Sequence, residues 1–384
     1  MKEVIDQLEL TYQRIKLFIP ERKRPFFRTL NTENIRSFLL YGPRGVGKTT
    51  FLIDTIKDKN FLYLSADSLA IHAYPLYDII KEIFARGYDG VVVDEIHFSN
   101  NWIMHIKNVY DDYPDKYIWI SDSSNLILQK GMGDLSRRFV QYRMPMLSFR
   151  EYVYLNEGIY YDPVDVFSNY EHLMHIIKGI NIIKLFKDYI TGGLRPIFFE
   201  GQYCNRLKSL LEKSIYHDIP FYVPSIQENH LQLMNAIVSH LLTSPIPTIN
   251  ISGMCRDWGV SKDKLYSLLN VMDKSELIKI VQRKGNKHIY SKGGKIFLGD
   301  SSMYYCFNGN IGSAREAFIV FSLGEKYPIF ASDNEKEYDY QVGRYTIEVG
   351  GRNKKNKKAD FVIKDDIDIP YKNNFPLWMV GFCF

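Results

Sequence analysis

One stretch constrains this chain more than any other. Gly42-Pro43-Arg44-Gly45-Val46-Gly47-Lys48-Thr49 fits G-x-x-x-x-G-K-[ST] and sits between an apolar run at 38–41 and a helix-like segment at 49–57. That setting is the one such a loop needs. The glycines let backbone N–H groups close around phosphates, and the following helix N-terminus adds a positive dipole. Lys48 reaches the β- and γ-phosphates, and Thr49 can ligate Mg²⁺. Residues 42–50, with Thr50 in the first helical turn, are expected to hold a nucleotide.

The runs at 38–41, 61–64, 91–93 and 117–120 are continuously apolar and alternate with helical patterns between 37 and 143. Strands buried on both faces read this way, so the expectation is an α/β fold with a parallel sheet. At 384 residues the chain exceeds what one core usually organises. Four segments are expected: a nucleotide-binding core at 1–145, a helical lid at 146–225, a winged helix-turn-helix at 226–308, and a module at 309–384. The lid should contain one helix over 176–189 that stops at Thr191-Gly192-Gly193. The winged helix rests on helical patterns at 229–242, 251–258 and 262–272, followed by strands at 278–282 and 288–290. Lys262, Lys264 and Tyr266 lie on its second helix-turn-helix helix.

The nucleotide site has a second half in Val91-Val92-Val93-Asp94-Glu95, an apolar strand ending in two acids. Asp94 would hold Mg²⁺ and Glu95 would polarise the attacking water as general base. The run 117–120 ends in Ser121-Asp122-Ser123-Ser124-Asn125, a polar cluster placed to meet the γ-phosphate or its water, with Ser123 as the contact. Arg138, beside Arg137, could neutralise transition-state charge in a neighbouring subunit, which would make the protein a homo-oligomer. Arg195 could reach the nucleotide from the lid. No N/T-K-x-D element follows the acidic strand, which favours ATP over GTP.

Composition narrows the remaining classes. No stretch approaches the roughly 18 uncharged apolar residues of a membrane span. Residues 1–16 read as an amphipathic helix, without a signal peptide's apolar block, so a cytoplasmic address is expected. The four cysteines lie far apart, which predicts reduced, mostly buried thiols. A net charge of +5 is too small to demand a nucleic-acid partner, although Arg352–Lys358 concentrates basic charge.

The chain resembles the prokaryotic AAA+-type P-loop ATPases that carry a C-terminal domain of unknown function, DUF4143. The residues that carry the resemblance are 41–50, the run 91–97 with Trp102 after it, 120–125, 135–139, 146–152 and 191–196. In that family's pattern a glutamine usually stands where His97 stands, and a proline where Met146 stands. The resemblance implies an AAA+ core with strand order 5-1-4-3-2, a sensor role for 121–125, and a winged helix after the lid. It also implies a tail of the PD-(D/E)xK nuclease type, with Glu316, Asp339 and Glu348 at the metal-binding places. Gly350 occupies the lysine's position, so the tail is expected to be degenerate, with Asp339 and Glu348 as a possible second metal site.

Together these features predict a Mg²⁺-dependent ATP-hydrolysing switch acting on duplex DNA or a protein partner through the winged helix. The alternatives are a DNA-binding regulator with structural nucleotide and an ATP-gated metal-dependent nuclease.

Overall fold

The apolar runs form strands because they can be covered on both faces. In a computed structural model, which describes residues 1–384 apart from 131, 246–247, 287–292, 352–353 and 355–357, the four runs and a more polar fifth edge strand make one sheet of five strands. They are β1 (Ser37–Tyr41), β2 (Phe61–Ser65), β3 (Gly90–Asp94), β4 (Tyr117–Asp122) and β5 (Val140–Arg143). Every neighbouring pair is parallel. The order is β2-β3-β4-β1-β5, which from the other edge is the 5-1-4-3-2 that the resemblance implies. β3 is buried along its whole length, while edge strand β5 is half-exposed or exposed throughout.

Trp119 of β4 anchors this core. It is fully buried, its ring centroid lies 4.6 Å from Phe38 and 5.2 Å from Phe61, and its Nε1 donates to the Ile35 carbonyl at 3.0 Å. The N-terminal helix Lys2–Leu17 packs on β2 through Ile5, Leu8 and Tyr12. The three residues recur at a spacing that keeps them on one helix face, which is why the segment folds as an amphipathic cover.

The chain divides into two compact units, Met1–Met146 and Leu147–Phe384. The second opens with a capped helix, Phe149–Glu157, in which Ser148 accepts from Glu151 N and the Glu151 side chain accepts from Ser148 N. The helix expected over 176–189 begins only at Ile182 and runs to Gly192, and Ile176 instead ends a separate helix, Val166–Ile176. The chain turns between them at Gly179, whose φ of 93° a side-chain-bearing residue rarely adopts. The later helix does end at Gly192, inside the expected stop.

Helices Glu228–Thr243, Ile251–Trp258 and Lys262–Lys274 then precede an antiparallel pair, β6 (Ile278–Val281) and β7 (Lys295–Leu298). The strand expected at 288–290 lies outside the described residues; the partner of β6 is Lys295–Leu298. The tail is a mixed sheet of β8 (Ile329–Ala331), β9 (Tyr340–Val342), β10 (Tyr345–Gly350), β11 (Phe361–Lys364) and β12 (Asn374–Pro376), ordered β12-β11-β10-β9-β8. Helix Ile311–Gly324 packs against it and is buried over most of its length.

One expectation about the cysteines is corrected. Cys204 and Cys306 form a disulfide across 102 residues, which joins helix Tyr203–Lys213 to helix Ser302–Cys306. Their separation in sequence hid a closeness that only folding creates. Cys255 and Cys383 are free thiols. Among the described residues no helix is long and apolar enough to cross a membrane.

Candidate nucleotide site

The phosphate loop is shaped by what its backbone must avoid. Gly42 leaves β1 with φ of 148°, and a Cβ there would lie 2.2 Å from the Met144 carbonyl oxygen. The approach is that close because Met144 N donates to Tyr41 O at 2.8 Å as the chain leaves β5. Pro43 and Val46 are buried, Arg44 and Gly45 half-buried, and Gly47, at φ of 98°, caps helix Lys48–Ile56. That helix points its free N–H groups into the loop, and Thr50 sits half-buried in its first turn.

Lys48 is 5% exposed, and its Nζ donates to the Gly42 and Pro43 carbonyls at 2.8 and 3.0 Å. Burial pushes its pKa below the ordinary lysine value, against the opposing charges of Glu95 and Asp94. The loop also has a support that the motif does not reveal. Arg24 is buried, and its Nη1 donates to Val46 O and Pro145 O, both at 2.8 Å. Its Nη2 donates to Met146 O at 3.2 Å.

The acidic half lies at the carboxyl ends of β3 and β4, where open parallel sheets place ligands. Asp94 is buried; its Oδ2 accepts from Thr49 Oγ1 at 2.6 Å and from Tyr63 Oη at 2.9 Å, and its Oδ1 accepts from Ser121 Oγ. A hydroxyl and a carboxylate converging from two elements form an oxygen set that fits Mg²⁺. Glu95 follows in the left-handed region, φ 50° and ψ 48°, so the chain turns sharply out of the strand. Arg44 of the loop holds its carboxylate at two points, 3.3 and 3.2 Å. Burial raises the Glu95 pKa above the usual carboxylate value. Lys48 and Arg44 oppose the shift, and Asp94 and Asp122 add to it.

Other expected residues have other partners. Of the cluster ending β4, Ser121 and Asp122 face the acidic pair, through Asp94 and His97 respectively. Ser123 is buried just beyond the strand. Arg138, expected to act in a neighbouring subunit, pairs within its own chain with Asp111: Nε and Nη2 donate to the two carboxylate oxygens at 3.1 and 3.0 Å. Arg195, expected at the nucleotide, is buried with its Nε donating to Asp300 Oδ2 at 2.8 Å. A buried guanidinium requires such a counter-charge.

In the tail, the lysine missing from position 350 arrives from position 354. Lys354 Nζ lies 2.7 Å from Glu348 Oε1 and 3.4 Å from Asp339 Oδ2. Gly350 leaves the room for it, because a Cβ there would sit 2.5 to 2.7 Å from the Lys354 stem. Burial works against the Lys354 charge, but the hydrogen bond it donates to Glu348 and the charges of both acids outweigh it and raise its pKa. Glu316 is engaged elsewhere, accepting from Lys295 Nζ at 3.0 Å and from Tyr340 Oη. Among the described residues no three His, Cys, Asp or Glu side chains are grouped to hold a metal ion. At the second metal site expected at Asp339 and Glu348, the structure places the Lys354 ammonium beside the two carboxylates.

Comparison with known proteins gives a match over the first unit. Residues 34–153 match a family model described as an AAA domain. An uncharacterized protein of Methanocaldococcus jannaschii is 28% identical over 267 residues, which cover 62% of this chain and 55% of that protein. The chain thus spans about half the length of that relative. Among solved structures, a Walker-type ATPase of Pyrococcus abyssi has a TM-score of 0.41 at 12% identity, covering 76% of this chain and 96% of that one. A RuvB protein of Thermotoga maritima has a TM-score of 0.32 at 14% identity, covering 74% and 90%. Scores this low carry no argument about the fold, which rests on the sheet and the family match. Residues 34–153 thus match an AAA-domain model and form an α/β unit whose first strand leads into the glycine-rich loop.

Proposed function

We propose that this protein is a Mg²⁺-dependent ATPase that works as a molecular switch on duplex DNA or a DNA-bound partner. The observation that carries the catalytic part is the meeting of buried Lys48 and Asp94 with solvent-facing Thr49 and half-buried Glu95 at the strand ends. Bound ATP and Mg²⁺ would supply the phosphoanhydride and the charge that screens it. The loop N–H groups and Lys48 bind and orient phosphates, Thr49 and Asp94 offer oxygens to the cation, and Glu95 takes a proton from water. The raised pKa of Glu95 suits that last role, since a base works best when its pKa lies near working pH.

The DNA part rests on the second unit. Helices Ile251–Trp258 and Lys262–Lys274 followed by the β6–β7 pair have the order of a winged helix-turn-helix. Lys262 is exposed, and Lys264 and Tyr266 are half-buried on the same helix. A nuclease reading of the tail regains a lysine beside its two acids in Lys354, but the third expected acid, Glu316, is paired with Lys295 and Tyr340.

Calorimetry and phosphate release with and without duplex DNA test the proposal. Wild type is expected to bind ATP and hydrolyse it, and Lys48→Ala to weaken binding by at least about tenfold. Replacing Lys262 and Lys264 with Ala should lower DNA affinity while leaving DNA-free turnover unchanged. No nucleotide binding by wild type defeats the ATPase reading, and no measurable duplex affinity defeats the DNA part.

A further inference from the structure

Glu95 is bracketed. On one side stands Arg44 of the P-loop; on the other stands His97, in the 3₁₀ turn Ile96–Phe98 that follows β3. His97 is completely buried, and its Nδ1 lies 2.8 Å from Asp122 Oδ2 and 3.7 Å from Glu95 Oε2. A buried imidazole costs free energy unless its polar atoms are matched, so the Asp122 contact fixes the ring. Facing a carboxylate oxygen at that distance, Nδ1 is the donor.

Asp122 is also buried, and its Oδ1 accepts from Ser124 N at 3.0 Å, which anchors it to the turn beyond β4. The neighbouring Ser121 donates to Asp94. The end of β4 thus reaches both acids of β3, Asp94 directly through Ser121 and Glu95 through His97. Any displacement of that strand end moves the wall against which the Glu95 carboxylate rests.

We propose that His97 is a positioning residue for Glu95: its Nδ1–H is committed to Asp122 at the end of β4, and the ring so fixed is the wall 3.7 Å from the carboxylate that sets its working direction. The inference rests on the reading of Glu95 as the base. It gives the polar cluster after β4 a route to the base that runs through Asp122 rather than through Ser123. A misplacement of about 1 Å in such a group costs about 10²-fold in rate while substrate contacts stay in place.

The test compares His97→Leu, His97→Asn and Asp122→Asn in the full chain. His97→Leu keeps bulk and loses the donor, whereas the His97→Asn amide N–H restores a donor at the Nδ1 place. Expected are a kcat for ATP hydrolysis at least about tenfold lower in His97→Leu with KM within about twofold of wild type, and recovery of most of the loss in His97→Asn. Asp122→Asn should resemble His97→Leu, and combining the two should add little. A second readout needs no turnover: ¹⁵N NMR of the nucleotide-free protein should show His97 protonated at Nδ1 in wild type and altered in Asp122→Asn. Unchanged kcat in His97→Leu, equal loss in His97→Asn, or a His97 signal indifferent to Asp122→Asn overturns the proposal. If Glu95→Gln itself keeps the wild-type rate, the underlying reading of Glu95 fails instead.

Discussion

At the residue scale, Glu95 has the most demanding environment in the first unit. It is an acid in the left-handed region, almost enclosed, with Arg44 and His97 at its carboxylate. Its pKa is raised because burial outweighs the nearby cations. A carboxyl whose folded pKa lies above its unfolded value binds its proton more tightly when folded. It therefore costs no stability below the unfolded value and costs progressively more as pH rises through the folded one. Glu95→Gln removes that cost. The variant is expected to melt at a higher temperature than wild type at neutral pH, with the gap closing as pH falls through the ordinary carboxylate range. Thermal melts across pH check this, and a variant that melts lower at neutral pH contradicts it.

At the element scale, the strands of the first unit hold the site because they are covered on both faces. Trp119 is the largest side chain in that cover, so Trp119→Ala should destabilise the protein by about 3–5 kcal/mol, read from urea unfolding. A loss below about 1 kcal/mol would mean that the site's scaffold does not depend on this core. These elements were legible in sequence because continuous apolar runs and a glycine-rich loop are local signals. Arg24 was not legible: its acceptors lie 22, 121 and 122 residues away, and nothing in Arg22-Lys23-Arg24 distinguishes the arginine that is buried. Lys354 escaped for a related reason. The E-x-K pattern fixes a lysine by its spacing in one strand, whereas here a residue beyond the strand fills the space that Gly350 leaves open. The late start of the helix at Ile182 was hidden because apolar periodicity does not report the positive φ of Gly179 in the turn before it.

At the scale of the whole molecule, the two units differ in what closes them. The first is a sheet with helical cover, and the second carries a disulfide between Cys204 and Cys306. A crosslink closing a loop of that length restrains the unfolded chain, and the chain-entropy model gives it about 4–5 kcal/mol. Cys306→Ser should lose stability of that order in denaturant without reductant, and reductant should bring wild type down toward the variant. Equal stability of the two without reductant would show that the bond contributes nothing. The central claim, however, belongs to the first unit: ATP is hydrolysed at the P-loop with Glu95 as base. Its most direct measurement is nucleotide affinity and turnover of Glu95→Gln beside wild type. The account predicts ATP affinity within about threefold of wild type and turnover lower by about 10²-fold or more; turnover at the wild-type rate would contradict it.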